Sequence, residues 1–439
     1  MSETLESLLC LAEIKLDAPN KASLNAFSGS KADEFIEQWK NRFSVKCKQN
    51  SHLSLPAMHN VIGIILRETK IYYGAEYIDL RTSLLVIQDS GTGKKPAMEF
   101  AETVVASIFP KYVVKRRSML TSPGALGGLK TETVENPDTG KKVSTEVSVK
   151  GDLELVDYLS VSEAGSLLEC KPDQWGNDLL RNICESQDTN NRMSRRLKDG
   201  EIPEFKSKTV LSLWTVPPAN ISTLVTRSGL IQRFIPVFKV FAFSEYQTLR
   251  TEIISNLGEE IDESSNIQSL VAILKKKPLI DKFLYSEETK KLICSKAEAL
   301  DEILLGAGAE YVNRLKSFTI RRDLLMVKLA THHAWLDERS KVEPRDVEYA
   351  FELLKELWTS MLDFFVERWN LADTNDKEHL ALEILEIAKA VDINEFYGSL
   401  CKSAPCSIAT ARKIAETLES KKQIRRFGEK KNRKIERLN

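Results

Sequence analysis

Ser83-Leu84-Leu85-Val86-Ile87 is a short, unbroken apolar run that passes into Gln88-Asp89-Ser90-Gly91-Thr92-Gly93-Lys94-Lys95 and then into a helical pattern from Pro96 to about Phe109. A buried strand, a glycine loop and a helix in that order open an α/β unit, which commits the chain to a sheet with helices packed on its faces. Three more apolar stretches, Leu155–Val161, Thr209–Trp214 and Phe234–Val240, are separated by helical segments, including one at about Trp175–Gln187. Continuous rather than alternating apolar strands predict a parallel sheet covered on both sides.

The 439 residues suggest about three domains. Residues 1–78 read as a helical N-terminal region, in which Phe35, Ile36, Trp39 and Phe43 share one helical face. Residues 79–245 read as the α/β core and 246–370 as a helical lid ending in the amphipathic run Val342–Phe365, entered through Glu343-Pro344. After a polar linker at Asp373–Lys377, residues 378–439 form a small last unit.

Lys+Arg and Asp+Glu number 63 each, so global charge selects no partner. The seven cysteines form no CxxC pair and the five histidines no HExxH, which argues against a disulfide framework and the common zinc sites. Met1–Leu16 carries Glu3, Glu6 and Glu13 without a basic start, so no secretory signal is expected. No apolar run approaches the roughly 18 residues of a membrane span. A cytoplasmic protein is the expectation.

A phosphate-binding loop needs backbone N–H groups free to curl round an anion and a lysine for the outer phosphates. Ser90, Gly91, Thr92, Gly93, Lys94 and Lys95 lie in the required strand–loop–helix context; a plain glycine turn is the alternative. The motif's usual first glycine is Gln88, and its usual Ser/Thr after the lysine is Lys95. Glu163 follows an apolar strand, where a carboxylate can orient an attacking water, or merely cap the next helix. Ser162 stands where the metal-associated Asp would be. Thr215 ends a buried strand as a polar sensor or a simple terminus. Arg233, with Arg227 as a nearby competitor, precedes the last strand as an arginine finger or a surface ion-pair residue.

Taken in order, these elements resemble an AAA+ module, and more closely the minichromosome maintenance (MCM) helicases and MCM-like helicases of mobile elements. Three stretches carry the resemblance. SLLVIQDSGTG (83–93) resembles the MCM Walker A strand and loop. LTSPGALGGLKTETVENPDTGKKVST (120–145) resembles the helix-2 insert, with a β-hairpin predicted over Thr131–Val134 and Val143–Val149. Phe318-Thr319-Ile320-Arg321 and the helices after it resemble the lid with its sensor-2 arginine. The likeness spans about residues 80–365.

It implies that Lys94 binds the β/γ-phosphates of ATP, Glu163 polarises water, Arg233 is the finger reaching a neighbour and Arg321 is sensor 2. Thr215 takes the place of an Asn. Arg192, Arg195, Arg196 and Lys198 fall where MCMs carry a DNA-gripping hairpin before sensor 1, unless they form a solvated helix end. Lys141 and Lys142 of the insert join them as DNA contacts. Lys95 and Ser162 remove both protein groups that normally fix Mg²⁺, so ATP and Mg²⁺ are the expected cofactors with the metal in question. Only about 80 residues precede the strand and loop, with none of that module's cysteine pairs, so the zinc-binding MCM N-terminal module is not expected.

The last unit reads as a winged helix: a first helix at Leu380–Val391, a helix pair at Asn394–Lys402 and Ser407–Leu418, and a wing at Gln423–Leu438. Residues 420–439 hold nine Lys/Arg against two Glu, an electrostatic footprint for nucleic acid or a disordered basic tail. Arg412, Lys413, Arg425, Arg426, Lys430 and Lys431 are its candidate DNA contacts. The expected function is an MCM-like ATPase acting on single- and double-stranded DNA in replication, as a ring hexamer with partners such as a primase. The alternative is a catalytically impaired DNA-binding initiator, loader or regulator.

Overall fold

The computed structural model describes residues 29–439 except 136–141, 169–175, 189–191, 198–199, 218–228, 256–262, 309–311, 313–314, 316–317, 372–380, 383, 386–389, 404–407, 429–433 and 438–439. At its centre lies a parallel five-stranded sheet: β1 (Ser83–Gln88), β2 (Val114–Arg117), β3 (Tyr158–Val161), β4 (Val210–Thr215) and β5 (Phe234–Lys239), side by side in the order β5-β1-β4-β3-β2. The α/β expectation holds. Four strands coincide with the predicted ones, trimmed at their ends; Asp152–Leu155 is a helical turn that shortens β3. The fifth, β2, was hidden because Val-Lys-Arg-Arg is an edge strand whose side chains are only partly covered.

The described part of the N-terminal region packs into the α/β core. Helix α1 (Lys31–Cys47) starts at Ser30, whose hydroxyl accepts from the Asp33 N–H. Its buried face is the predicted one, Phe35, Ile36, Trp39 and Phe43. Trp39 and Phe43 sit edge-on to Phe100 of α3 (Lys94–Ile108), with centroids 5.2 and 5.3 Å apart. A 3₁₀ segment, Lys48–Leu53, then leads into α2 (Ser54–Ile65). α2 runs close under the sheet: a Cβ on Gly63 would lie 2.5 Å from the Thr82 nitrogen, so only glycine passes there. Buried Asn60 donates to Thr82 and Leu211 carbonyls and accepts from the Tyr158 hydroxyl, joining the edges of three strands. One continuous apolar core runs from Ala32 to Phe365.

Residues 70–79 correct the helical reading of the N-terminus. Lys70–Tyr73 and Glu76–Asp79 form an antiparallel hairpin with Ile71 opposite Ile78 and Tyr72 opposite Tyr77, an alternation that suits a strand. The predicted insert hairpin is present and longer, Gly127–Glu135 paired residue for residue with Lys142–Lys150. A second hairpin, Met193–Leu197 with Gly200–Phe205, leads into β4.

The described residues from 243 are mainly helical as expected, with one short parallel strand pair, Leu284–Tyr285 against Lys341–Val342, and end in α4 (Phe318–Leu336) and α5 (Pro344–Leu371), the latter begun by its proline. The linker predicted at 373–377 lies outside the described residues. The last unit has its own core around Phe396, Leu400, Ile414, Leu418, Ile424 and Ile435. Three antiparallel strands, in the order Ala390–Asp392, Lys434–Arg437, Ile424–Phe427, pack with helices Ile393–Ser403 and Ile408–Ser420. The first predicted helix ran through Val391, which instead pairs with Ile435 as a strand.

Candidate nucleotide site and basic surfaces

The chain leaves β1 for the far edge, returns to β4 beside it, then crosses to β5 on its other flank. The carboxyl end of β1 therefore lies where the winding reverses, the place where such sheets leave a ligand crevice. There Gly91 and Gly93 adopt φ of +74° and +77°, left-handed geometry that glycine takes without strain, and Gly93 caps α3. The exposed N-terminus of a helix of this length favours an anion.

Lys94 reaches back over the loop, its ammonium donating to the Gln88 and Asp89 carbonyls at 2.5 and 2.7 Å. Burial lowers its pKa to about 8, with the Asp89 charge opposing. The Asp89 carboxylate accepts the Phe241 N–H at 2.7 Å, tying the loop to the segment after β5. Gln88, the departure from the usual glycine, is wholly buried. Its amide donates to Thr92 Oγ1 and Asn50 Oδ1, both at 2.7 Å, and its oxygen lies 2.9 Å from His52 Nε2. Burial lowers the His52 pKa, against that contact, so the ring is neutral and Nε2–H donates. Ser90 and Gly91 face solvent.

Thr215 is level with Ile87, and Val161 with Leu213, so the loop, Thr215 and Glu163 lie on one edge of three adjacent strands spaced about 4.8 Å apart. Thr215 is buried, and its hydroxyl lies 3.0 Å from where a Gly165 Cβ would be, against the turn after Glu163. Glu163 itself is exposed. Lys95 is exposed beside Glu99 at 3.8 Å, and the Ser162 hydroxyl is turned toward the Arg117 carbonyl. Among the described residues no cluster of three His, Cys, Asp or Glu side chains suits a metal. The residues present do not fit a directly ligated Mg²⁺.

Arg233 and Arg321 lie at the opposite edge. β5 starts level with β1, and the strand's six residues separate Arg233 from the loop by about 20 Å. Neither arginine serves the loop of its own chain. Of the two alternatives the sequence left for Arg233, it adopts the ion pair: it forks onto the Asp188 carboxylate (3.1 and 2.8 Å) and also donates to the Gly229 carbonyl. Asp188 accepts Arg321 at 2.8 Å as well. Burial opposes the Asp188 charge, yet the two guanidiniums hold its pKa below the ordinary carboxylate value. A cavity of about 200 Å³ opens here, lined by Arg81, Asp188, Arg233, Arg321 and Lys328. Arg227 lies outside the described residues.

Of the DNA candidates, Arg195 and Arg196 are on the strand next to the tip of the second hairpin, and Lys142 starts a strand of the insert hairpin. Arg192 is exposed and meets Glu204 at 3.3 Å. Arg412 and Lys413 are exposed on one helix of the last unit. Arg425 pairs with Glu436 and Arg426 with Glu419, so part of the basic segregation is neutralised locally. Lys141, Lys198, Lys430 and Lys431 lie outside the described residues. The sequence reading missed Asn50, His52 and Asp188, which no local motif marks.

Neither a protein-family model nor a curated protein matches the sequence. Among the described residues no helix is long and apolar enough to cross a membrane.

Proposed function

We propose that the chain is an MCM-like AAA+ ATPase that binds ATP at the Gly91–Lys94 loop and acts on DNA in replication as a ring, with a hexamer the expected size. The observation that carries the reading is the division of parts across one sheet. Loop, Thr215 and Glu163 occupy one edge, while Arg233 and Arg321 occupy the other, where they can serve only a neighbouring copy's nucleotide. Lys94 holds the outer phosphates, Glu163 orients water, and the neighbour's arginines meet the terminal phosphate as charge develops. The basic hairpin and the last unit supply DNA contacts. Any Mg²⁺ enters as the nucleotide's own counter-ion.

A second reading, ATP binding and assembly with little turnover, is favoured by Lys95, by Ser162, and by the Asp188 bonds that Arg233 must break to reach a phosphate. ATP hydrolysis measured with and without single-stranded DNA, beside strand displacement, separates the two. In the first reading the native chain turns over and Glu163→Gln slows it about a hundredfold or more. Turnover at the same rate in the variant removes Glu163 from the mechanism. Bound ATP without turnover in the native chain selects the second reading.

Replacing Arg425, Arg426, Lys430 and Lys431 by Ala is expected to weaken duplex binding at low salt. The slope of log affinity against log salt should become shallower by about one for each DNA phosphate that is no longer neutralised. Fluorescence anisotropy of a labelled duplex checks both; an unchanged slope removes this unit from the DNA-binding surface.

A further inference from the structure

Asn50 lies in the 3₁₀ segment between α1 and α2, a region to which the motifs assign no role. It is 1% exposed, and both ends of its side chain are engaged on the loop. Nδ2 donates to the Thr92 carbonyl at 2.8 Å and to the Gly93 carbonyl at 3.2 Å, while Oδ1 accepts from Gln88. The two carbonyls belong to the peptide groups that carry the Gly93 and Lys94 N–H. In a planar trans peptide, C=O and N–H point in opposite directions. Fixing both oxygens toward Asn50 therefore aims both N–H groups away from it. Among the described residues neither N–H has a hydrogen-bond partner, and they are the first donors at the start of α3.

We propose that Asn50 is a positioning residue for phosphate binding, turning the Gly93 and Lys94 N–H groups outward to receive the anion. The inference rests on the nucleotide reading above and deepens it. It also accounts for Gln88. A glycine there would leave Asn50 Oδ1 without its donor, whereas Gln88 holds it, and His52 holds Gln88 in turn. Gly93 is required twice over, by its φ and because a Cβ would lie 3.0 Å from Asn50 Nδ2. The amide is secured from behind by the aromatic contacts of α1 on α3 and by the bond from Trp39 Nε1 to the Ser54 carbonyl at 2.9 Å.

The test uses the full chain with Asn50→Ala and Asn50→Asp. Asp keeps an acceptor for Gln88 but sets a carboxylate against the two carbonyls. The expected result is a Kd for a fluorescent ATP analogue raised about ten- to hundredfold in Asn50→Ala and at least as much in Asn50→Asp. In the unliganded chain, backbone 15N relaxation over residues 91–95 should report a more mobile loop in both variants, with α5 unchanged as an internal control for folding. An ATP affinity equal to the native chain's in the folded variants, or unchanged relaxation over 91–95, overturns the proposal. If the native chain binds no ATP analogue, the nucleotide reading falls by itself, and the relaxation measurement still decides what Asn50 does to the loop.

Discussion

Lys94→Ala should raise the Kd for ATP roughly ten- to hundredfold, because the substitution deletes a charge-assisted bond worth about 1.5–3 kcal/mol. The ammonium is already beside the site, held on the Gln88 and Asp89 carbonyls. A phosphate competing for it replaces neutral acceptors with charged ones. Its pKa near 8 adds a signature. The cation that attracts phosphate is present below that value and lost above it, so affinity in the native chain should decline as pH rises through about 8. Lys94→Arg keeps its charge across this range, and its pH profile should be flat whatever its absolute affinity. Isothermal titration of ATP at several pH values reads both effects. Equal affinity in Lys94→Ala removes Lys94 as the phosphate lysine.

Acid should destabilise this fold earlier than its carboxylates alone would. His59 and His332 are fully buried and stacked, and their hydrogen bonds admit one arrangement. The Leu80 carbonyl can only accept, so His332 Nε2–H donates to it; His59 Nδ1–H then donates to His332 Nδ1, and the Tyr349 hydroxyl donates to His59 Nε2. Every ring nitrogen is used with both rings neutral, and a further proton has no acceptor. Burial drives the His332 pKa down to about 3, aided by the Lys328 charge and opposed by its bond to Leu80. Burial, then the neighbouring histidines, takes His59 well below its usual value. The unfolded chain takes up these protons near pH 6.5 and the folded chain does not. Stability is therefore complete above about pH 6.5 and falls with each unit below it, by about 1.4 kcal/mol per group. His332 alone should cost about 3 kcal/mol by about pH 4.5. Urea midpoints across this range measure the slope, and His332→Gln, which keeps a donor for Leu80, should reduce it. An identical slope in the variant would refute the assignment.

What could be read in the sequence was whatever is written locally. β1, β3, β4 and β5 are apolar runs because both faces are covered, and the insert hairpin announces itself by alternation around Asn136-Pro137-Asp138-Thr139-Gly140. β2 escaped because edge strands carry charge, and 70–79 because Tyr72 and Tyr77 are exposed aromatics that do not mark a face. The glycines and Lys94 of the loop were legible from spacing. The residues that set its shape were not. Asn50 meets Thr92 only through the folding of two helices, and Asp188 gathers Arg233 and Arg321 from segments far apart in the chain. An ordinary Asn or Asp in a polar stretch carries no periodicity to betray such a partner.

Because the sheet's strands all run the same way, its two rims are chemically unlike, and β1's length keeps them from ever meeting within a molecule. On the proposed reading, a solitary copy owns two unfinished halves. Output would scale with the number of seams between copies, so dilution would silence the protein without unfolding it. One copy lacking its guanidiniums would idle a sound neighbour's cradle while its own still worked.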